Sequence, residues 1–285
     1  MDATIDSSIK DLLNEKLNKL ETVLEADVLV YSGDLGPVPP HIFLKIVEEL
    51  VESPNHKQKL CILLTTNGGS VETVERYVNI LRKHYSEIDF IVPDYAYSAG
   101  TVFCMSGDKI MMDYFSVLGP IDPQVPNKEG KFVAALGYLD KVNEFIQKAQ
   151  NGTLTNAELI WMKEIDLGQL RQFEQARDLT SDLLKTWLVK YKFKNWDKHR
   201  NGNDVTLEEK TNRAEEIARQ LSDNNKWKSH GRAIDIKELT DLKLKIDDYG
   251  TNDSLKNPIR DYYYTMTEFL RMKSQNLFIH TRTFF

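Results

Sequence analysis

Cysteine is scarce in this sequence, with two in 285 residues. Cys61 sits in an apolar run and Cys104 among small residues, so both read as buried reduced thiols; a disulfide-stapled secreted domain is excluded in favour of a reducing, cytoplasmic setting. Metal-ligand spacing is absent as well. The six histidines are scattered and neither C-x-x-C nor H-E-x-x-H occurs, so no metal cofactor is expected. No G-x-x-x-x-G-K-S/T loop is present to cradle a nucleotide, and no other cofactor is implied. No apolar run approaches the roughly 18 residues of a membrane span, and the N-terminal M-D-A-T-I-D-S-S lacks the basic and then apolar pattern of a leader. Basic clusters are missing too. The 37 Lys and Arg against 43 Asp and Glu give a formal net charge of −6, and the basic residues are dispersed through helices, which argues against nucleic acid as a partner.

What is present is ordinary for a soluble globular chain, with 41% apolar and 28% charged residues, enough to bury a core. Apolar residues at helical spacing over 8–25 predict an amphipathic helix. Then strands and helices alternate: a strand over 26–31, a helix over 41–53, a strand over 60–66, a helix over 71–84, a strand at 90–92, a short helix ending near Gly107 and a strand over 109–113. Such alternation implies an α/β fold with a parallel sheet flanked by helices. From 133 to 222 the texture is mainly helical, with Asn156 or Thr155 with Glu158, and Thr206 with Glu209, as N-terminal capping pairs and Gly152 and Gly168 as punctuation. A small α/β stretch follows. The division is an N-terminal helix (1–25), a main domain (26–250) carrying the helical insertion, and a C-terminal helical tail (251–285).

The chain is organised around residues 88–124. A strand breaks at Pro93 and delivers Ser98-Ala99-Gly100 to a helix start, where free N–H groups and the positive end of the helix dipole stabilise an anion. Ser98 is thus a candidate nucleophile; serine at a helix start also reads as an N-cap. Upstream, the apolar run L-C-I-L-L-T-T ends in Asn67-Gly68-Gly69-Ser70 before another helix. Paired glycines let backbone N–H groups approach a carbonyl, and turns on successive strand-helix units face each other across the carboxyl ends of a parallel sheet. Together they look like half of an acyl-transfer site.

Four ordered motifs, T-T-N-G-G-S-V, V-P-D-Y-A-Y-S-A-G-T, L-G-P-I-D-P-Q and S-H-G-R-A-I, resemble the serine dehydrogenase proteinase family of the Clp protease and crotonase-like superfamily. The resemblance implies a crotonase-like fold, a serine peptidase acting on peptide or protein substrates, a homo-oligomer and an unidentified regulator. It makes Ser98 the nucleophile, with Gly68, Gly69 and Ala99 supplying oxyanion-hole amides. The general base stays open. Where the Clp proteolytic subunit has a histidine, this chain has Leu118 and Gly119; the candidates are His230, Asp122, Lys128 and Lys131. Each also has a structural reading: loop bonding for Asp122, capping or packing for His230, solvation for the lysines. Arg232 is expected to pair with an acidic side chain in the core. The alternatives are a catalytically silent assembly protein on the same fold, and acyl-CoA chemistry with a thioester enolate held by the same amides.

Overall fold

The computed structural model describes residues 3–126, 130–199 and 201–285. The chain opens with helix α1 (Ala3–Leu24) and then alternates β1 (Asp27–Ser32), α2 (Pro40–Glu52), β2 (Lys59–Thr65), α3 (Val71–His84), β3 (Glu87–Ile91), β4 (Tyr95–Ala96), α4 (Ala99–Cys104) and β5 (Lys109–Met112). Two-residue β6 (Val117–Leu118) and the antiparallel pair β7 (Gln124–Pro126) and β8 (Phe132–Ala134) follow. The insertion comprises α5 (Ala135–Gln150), α6 (Asn156–Lys163), α7 (Leu167–Trp187) with a π-helical continuation over Leu188–Lys192, and α8 (Leu207–Leu221). The chain closes with α9 (Asn224–Trp227), α10 (Ile236–Asp241), β9 (Asp247–Asp248), α11 (Asp253–Lys273) and β10 (Phe278–His280).

Six strands form the main sheet in the order β10-β1-β2-β3-β5-β9, parallel throughout except for β10. The central strands read as unbroken apolar runs because both of their faces are covered. Side-chain alternation sorts them. Leu29, Tyr31, Leu60, Ile62, Leu64, Ile88 and Phe90 join one core with α2, α3, α4 and α8. Val28, Val30, Cys61, Leu63 and Ile91 join a second core with α1 and α11. Both cysteines are free and buried, and burial pushes both thiols up. The expected α/β class with a parallel sheet and a long helical insertion is the observed one.

Two expectations change in detail. Gly168 does not interrupt a helix but lies in the first turn of α7, where Asp166 caps the N–H groups of Gly168 and Gln169. The two expected capping pairs do form reciprocal capping boxes. Segment 251–285 is not only a helix: its last strand, β10, adds to the sheet antiparallel to β1. It is tied in by polar contacts as well. His280, fully buried, accepts at Nδ1 from the Tyr262 hydroxyl (2.7 Å) and donates from Nε2 to Asn14 Oδ1 (2.8 Å), joining β10, α11 and α1.

Burial holds His280 neutral, lowering its pKa from 6.5 to about 4. The neutral form belongs to the fold, so its stabilisation is complete above pH 6.5 and is lost as pH falls towards 4, about 3 kcal/mol in all. The expected result is a steeper fall in unfolding free energy between pH 6.5 and 4 for the wild type than for His280→Gln, read from urea titrations. Equal slopes would contradict it.

Candidate active site

The glycine turn and the serine turn are held together by a short backbone ladder beyond the carboxyl ends of β2 and β3. Thr66 N–H donates to Tyr95 O (3.1 Å) and Tyr97 N–H to Thr66 O (2.9 Å). On the other side, Leu35 N–H donates to Gly68 O (2.7 Å) and Ser70 N–H to Leu35 O (2.8 Å). In this parallel bridge the Gly69 N–H faces away from Leu35, and it has no acceptor among the described residues. Glycine is required here. Gly69 adopts φ +144, and a Cβ would fall 1.9 Å from Leu35 O; a Cβ on Gly68 would fall 2.8 Å from Ser98 Cβ.

Ser98 does not cap the helix it precedes. Its φ of 53 and ψ of −119 lie outside the usual regions, and its side chain makes no capping hydrogen bond. A bulk of surrounding contacts must hold such a conformation, at an expense of about 1–3 kcal/mol. The Ala99 N–H is left without an acceptor among the described residues. Two unpaired N–H groups, from Gly69 and Ala99, therefore belong to the residues around Ser98. Gly68 differs from them: its N–H already donates to Thr66 Oγ1 (3.0 Å).

His230 reaches this neighbourhood through a chain of bridges. β4 pairs with β6 in the register Ala96↔Leu118, and Leu118 exchanges two backbone bonds with Ile234 (3.0 and 2.9 Å). Thr101, in α4, locks the same junction: its hydroxyl donates to Ala96 O or Gly119 O and accepts from Gly119 N–H. The segment after α9 is thereby fixed beside the serine turn. His230 and Ser98 line one cavity of about 770 Å³. The buried Nδ1 of His230 has no partner among the described residues, and burial lowers the ring's pKa below 6.5.

Asp122 lies elsewhere. It is buried, and its Oδ1 accepts the Leu136 N–H (3.1 Å) at the start of α5, while its neighbours Ile121 and Pro123 line the cavity and it does not. Burial pushes its carboxyl up to about 6 against the opposing Leu136 bond. It fastens the proline loop to the insertion. Lys128 lies outside the described residues, and no lysine or arginine lines the cavity among the described ones; Lys131 is not brought to it. Arg232 pairs not in the core, as expected, but on the surface, with Glu238 (3.6 Å).

The sequence reading missed one wall. Helix α7 presents Gln172, Gln175, Ala176, Leu179 and Thr180 to the cavity, a stripe at three- and four-residue spacing. Its signal was a row of uncharged residues in a helix otherwise dense in Arg, Glu and Asp. The second miss is Gln124, which lines the cavity with its Nε2 buried and without a partner among the described residues.

An uncharacterized protein of Methanocaldococcus jannaschii is 26% identical over 262 residues, covering 88% of this chain and 78% of that protein. A second from the same organism is 25% identical over 186 residues, covering 65% of this chain and 51%, about half, of its own length. Among solved structures, ClpP1 from Listeria monocytogenes is 10% identical with a TM-score of 0.44, covering 86% of this chain and 99% of that one. A family match over residues 44–206 takes in more than half of the sequence, both turns and most of the insertion, and by it the chain belongs to the ClpP-like SDH-type serine proteinases.

Proposed function

We propose that this protein is a serine peptidase working through a Ser98 acyl-enzyme. The observation that carries this reading is the strained, non-capping Ser98 beside two N–H groups with no acceptor among the described residues. Ser98 Oγ attacks a peptide carbonyl carbon as its proton passes to His230 Nε2. The carbonyl oxygen becomes an oxyanion held by the Gly69 and Ala99 N–H groups, whose positions are set before the substrate arrives. The C–N bond then breaks, the proton returns to the leaving amine, and water repeats the sequence on the ester. Asp122 is assigned a positioning role, anchoring the proline loop that walls the cavity.

This reading is tested by incubating the protein with a peptide mixture and sequencing the new termini by mass spectrometry. Cleavage by wild type and none by Ser98→Ala supports it; equal cleavage by both, or none by either, contradicts it. The pH profile tests the base. With its pKa held below 6.5 by burial, His230 is mostly neutral and ready to accept a proton at pH 7, and activity should fall with a midpoint below pH 6.5. A fall centred above pH 7 would remove His230 from the role.

A second reading, a silent assembly protein, is favoured by two observations. Among the described residues His230 Nδ1 lacks an orienting acceptor, and α6 with the start of α7 exposes Ile160, Trp161 and Leu167 by 60% or more, an apolar face suited to association with further copies. Under it, Ser98→Ala leaves the oligomer and every function intact. No helix is long and apolar enough to cross a membrane among the described residues.

A further inference from the structure

A second cavity, of about 480 Å³, lies where α1, α2 and the C-terminal segment meet. Its walls are apolar. Phe269, Phe278 and Phe285 form a mutual aromatic box with ring centroids 5.4–6.1 Å apart. Ile42, Leu277 and Phe284, three of the exposed large apolar side chains, converge on it. A soluble chain normally disperses such residues, so their convergence on one hollow marks a ligand surface. The charged residues lining it, among those described, are Lys10 and Lys273, both basic. Lys10 Nζ stands 4.6 Å from the Phe285 ring centroid, at the rim of the box. An apolar hollow with the Lys10 ammonium at its rim suits an apolar chain ending in an anion.

The same cavity touches the serine site through backbone. Val38 lines it, and Val38 O accepts the Tyr77 hydroxyl (2.6 Å). A Cβ on Gly33 would fall 2.6 Å from Asn276 O and 2.9 Å from Leu277 Cδ1, so the C-terminal segment lies directly on the chain entering this loop. Between these two points is Leu35, whose N–H and C=O hold Gly68 and Ser70. Residues 33–38 are thus clamped between the cavity and the glycine turn.

We propose that this cavity binds a small anionic amphiphile, a medium-length acyl chain ending in a carboxylate, and that its occupancy stiffens residues 33–38 and with them the Gly68–Ser70 turn. The test uses the full chain carrying Ser98→Ala, so that its outcome does not depend on any chemistry at the serine. Sodium dodecanoate is titrated calorimetrically below its micelle concentration, with dodecyltrimethylammonium as the head-group control. Saturable one-to-one binding is expected, weaker by about tenfold or more for the cationic head, for Lys10→Glu and for Ile42→Trp, a loss of about 1.4 kcal/mol or more. Both substituted side chains are exposed, so the fold is retained. Hydrogen exchange at the Leu35 and Ser70 amides should slow by about threefold or more with dodecanoate bound, as local opening becomes rarer. No saturable binding, equal binding of the two head groups, or binding indifferent to both variants would overturn the site. Binding with unchanged exchange at Leu35 and Ser70 would overturn the coupling. Concentration-dependent dimerisation lost in Ile42→Trp, with no dodecanoate bound, would assign the surface to a second copy instead.

Discussion

Gly69→Ala is expected to slow acylation of Ser98 by about 100-fold or more, the loss typical of one oxyanion donor. The added Cβ meets a backbone oxygen, Leu35 O, at 1.9 Å, and no rotamer change relieves a backbone clash. The turn or the Leu35 segment has to move, and φ +144 is a conformation that L side chains resist. The Gly69 N–H then leaves the position it holds relative to Ser98. Gly36→Ala is the control: Gly36 has a similar φ of +149, but nothing lies within 4 Å of its Cβ, so it should carry the backbone strain while leaving acylation near the wild-type rate. The measurement is the rate of labelling by a fluorophosphonate under pseudo-first-order conditions, with a thermal melt of each variant. A folded Gly69→Ala labelled at the wild-type rate would show that its N–H takes no part.

Arg282→Met is expected to destabilise the fold by about 3 kcal/mol or more, as when a buried charge loses its partner. Asp27, fully buried at the start of β1, accepts from Arg282 Nη1 (2.8 Å), the Tyr85 hydroxyl (2.9 Å) and the Lys57 N–H (3.1 Å), and its Oδ2 lies 2.8 Å from His56 Nδ1. The same guanidinium reaches Glu21 Oε1 (2.6 Å), Ser53 Oγ (2.9 Å) and Leu50 O (3.3 Å). One side chain near the C-terminus therefore joins α1, β1 and the end of α2. Methionine keeps most of the volume and none of the charge, leaving both carboxylates without their cation. A guanidinium chloride midpoint unchanged within error would contradict a hub role for Arg282 and return the last residues to a loosely attached tail.

These two expectations differ in how far they were legible in the sequence. The glycine turn was: an apolar run ending in Asn67-Gly68-Gly69 announces a buried parallel strand and a backbone that must come close to something, and the β-α alternation around it fixes where such turns meet. The same holds for Ser98 at its strand-to-helix junction. Which glycine keeps its N–H free was not, because that depends on the Thr66 hydroxyl reaching back to Gly68, a contact without a periodic signature. The placement of His230 was only half readable. Its pairing depends on an isolated two-bond bridge between Leu118 and Ile234, 116 positions apart, and neither residue stands in a long strand. Asp122 shows the converse: its position in a proline loop suggested the site, but burial and the Leu136 bond give it to the start of α5. β10, three residues long, escaped notice because a strand that short after a 21-residue helix carries too few residues to display alternation.

The central claim is that Ser98 is an activated nucleophile, and it is met most directly by intact-mass spectrometry after treatment with a fluorophosphonate. The expected result is one adduct per chain in the wild type and none in Ser98→Ala. An unmodified wild type that is folded, or an adduct that persists in Ser98→Ala, would contradict it.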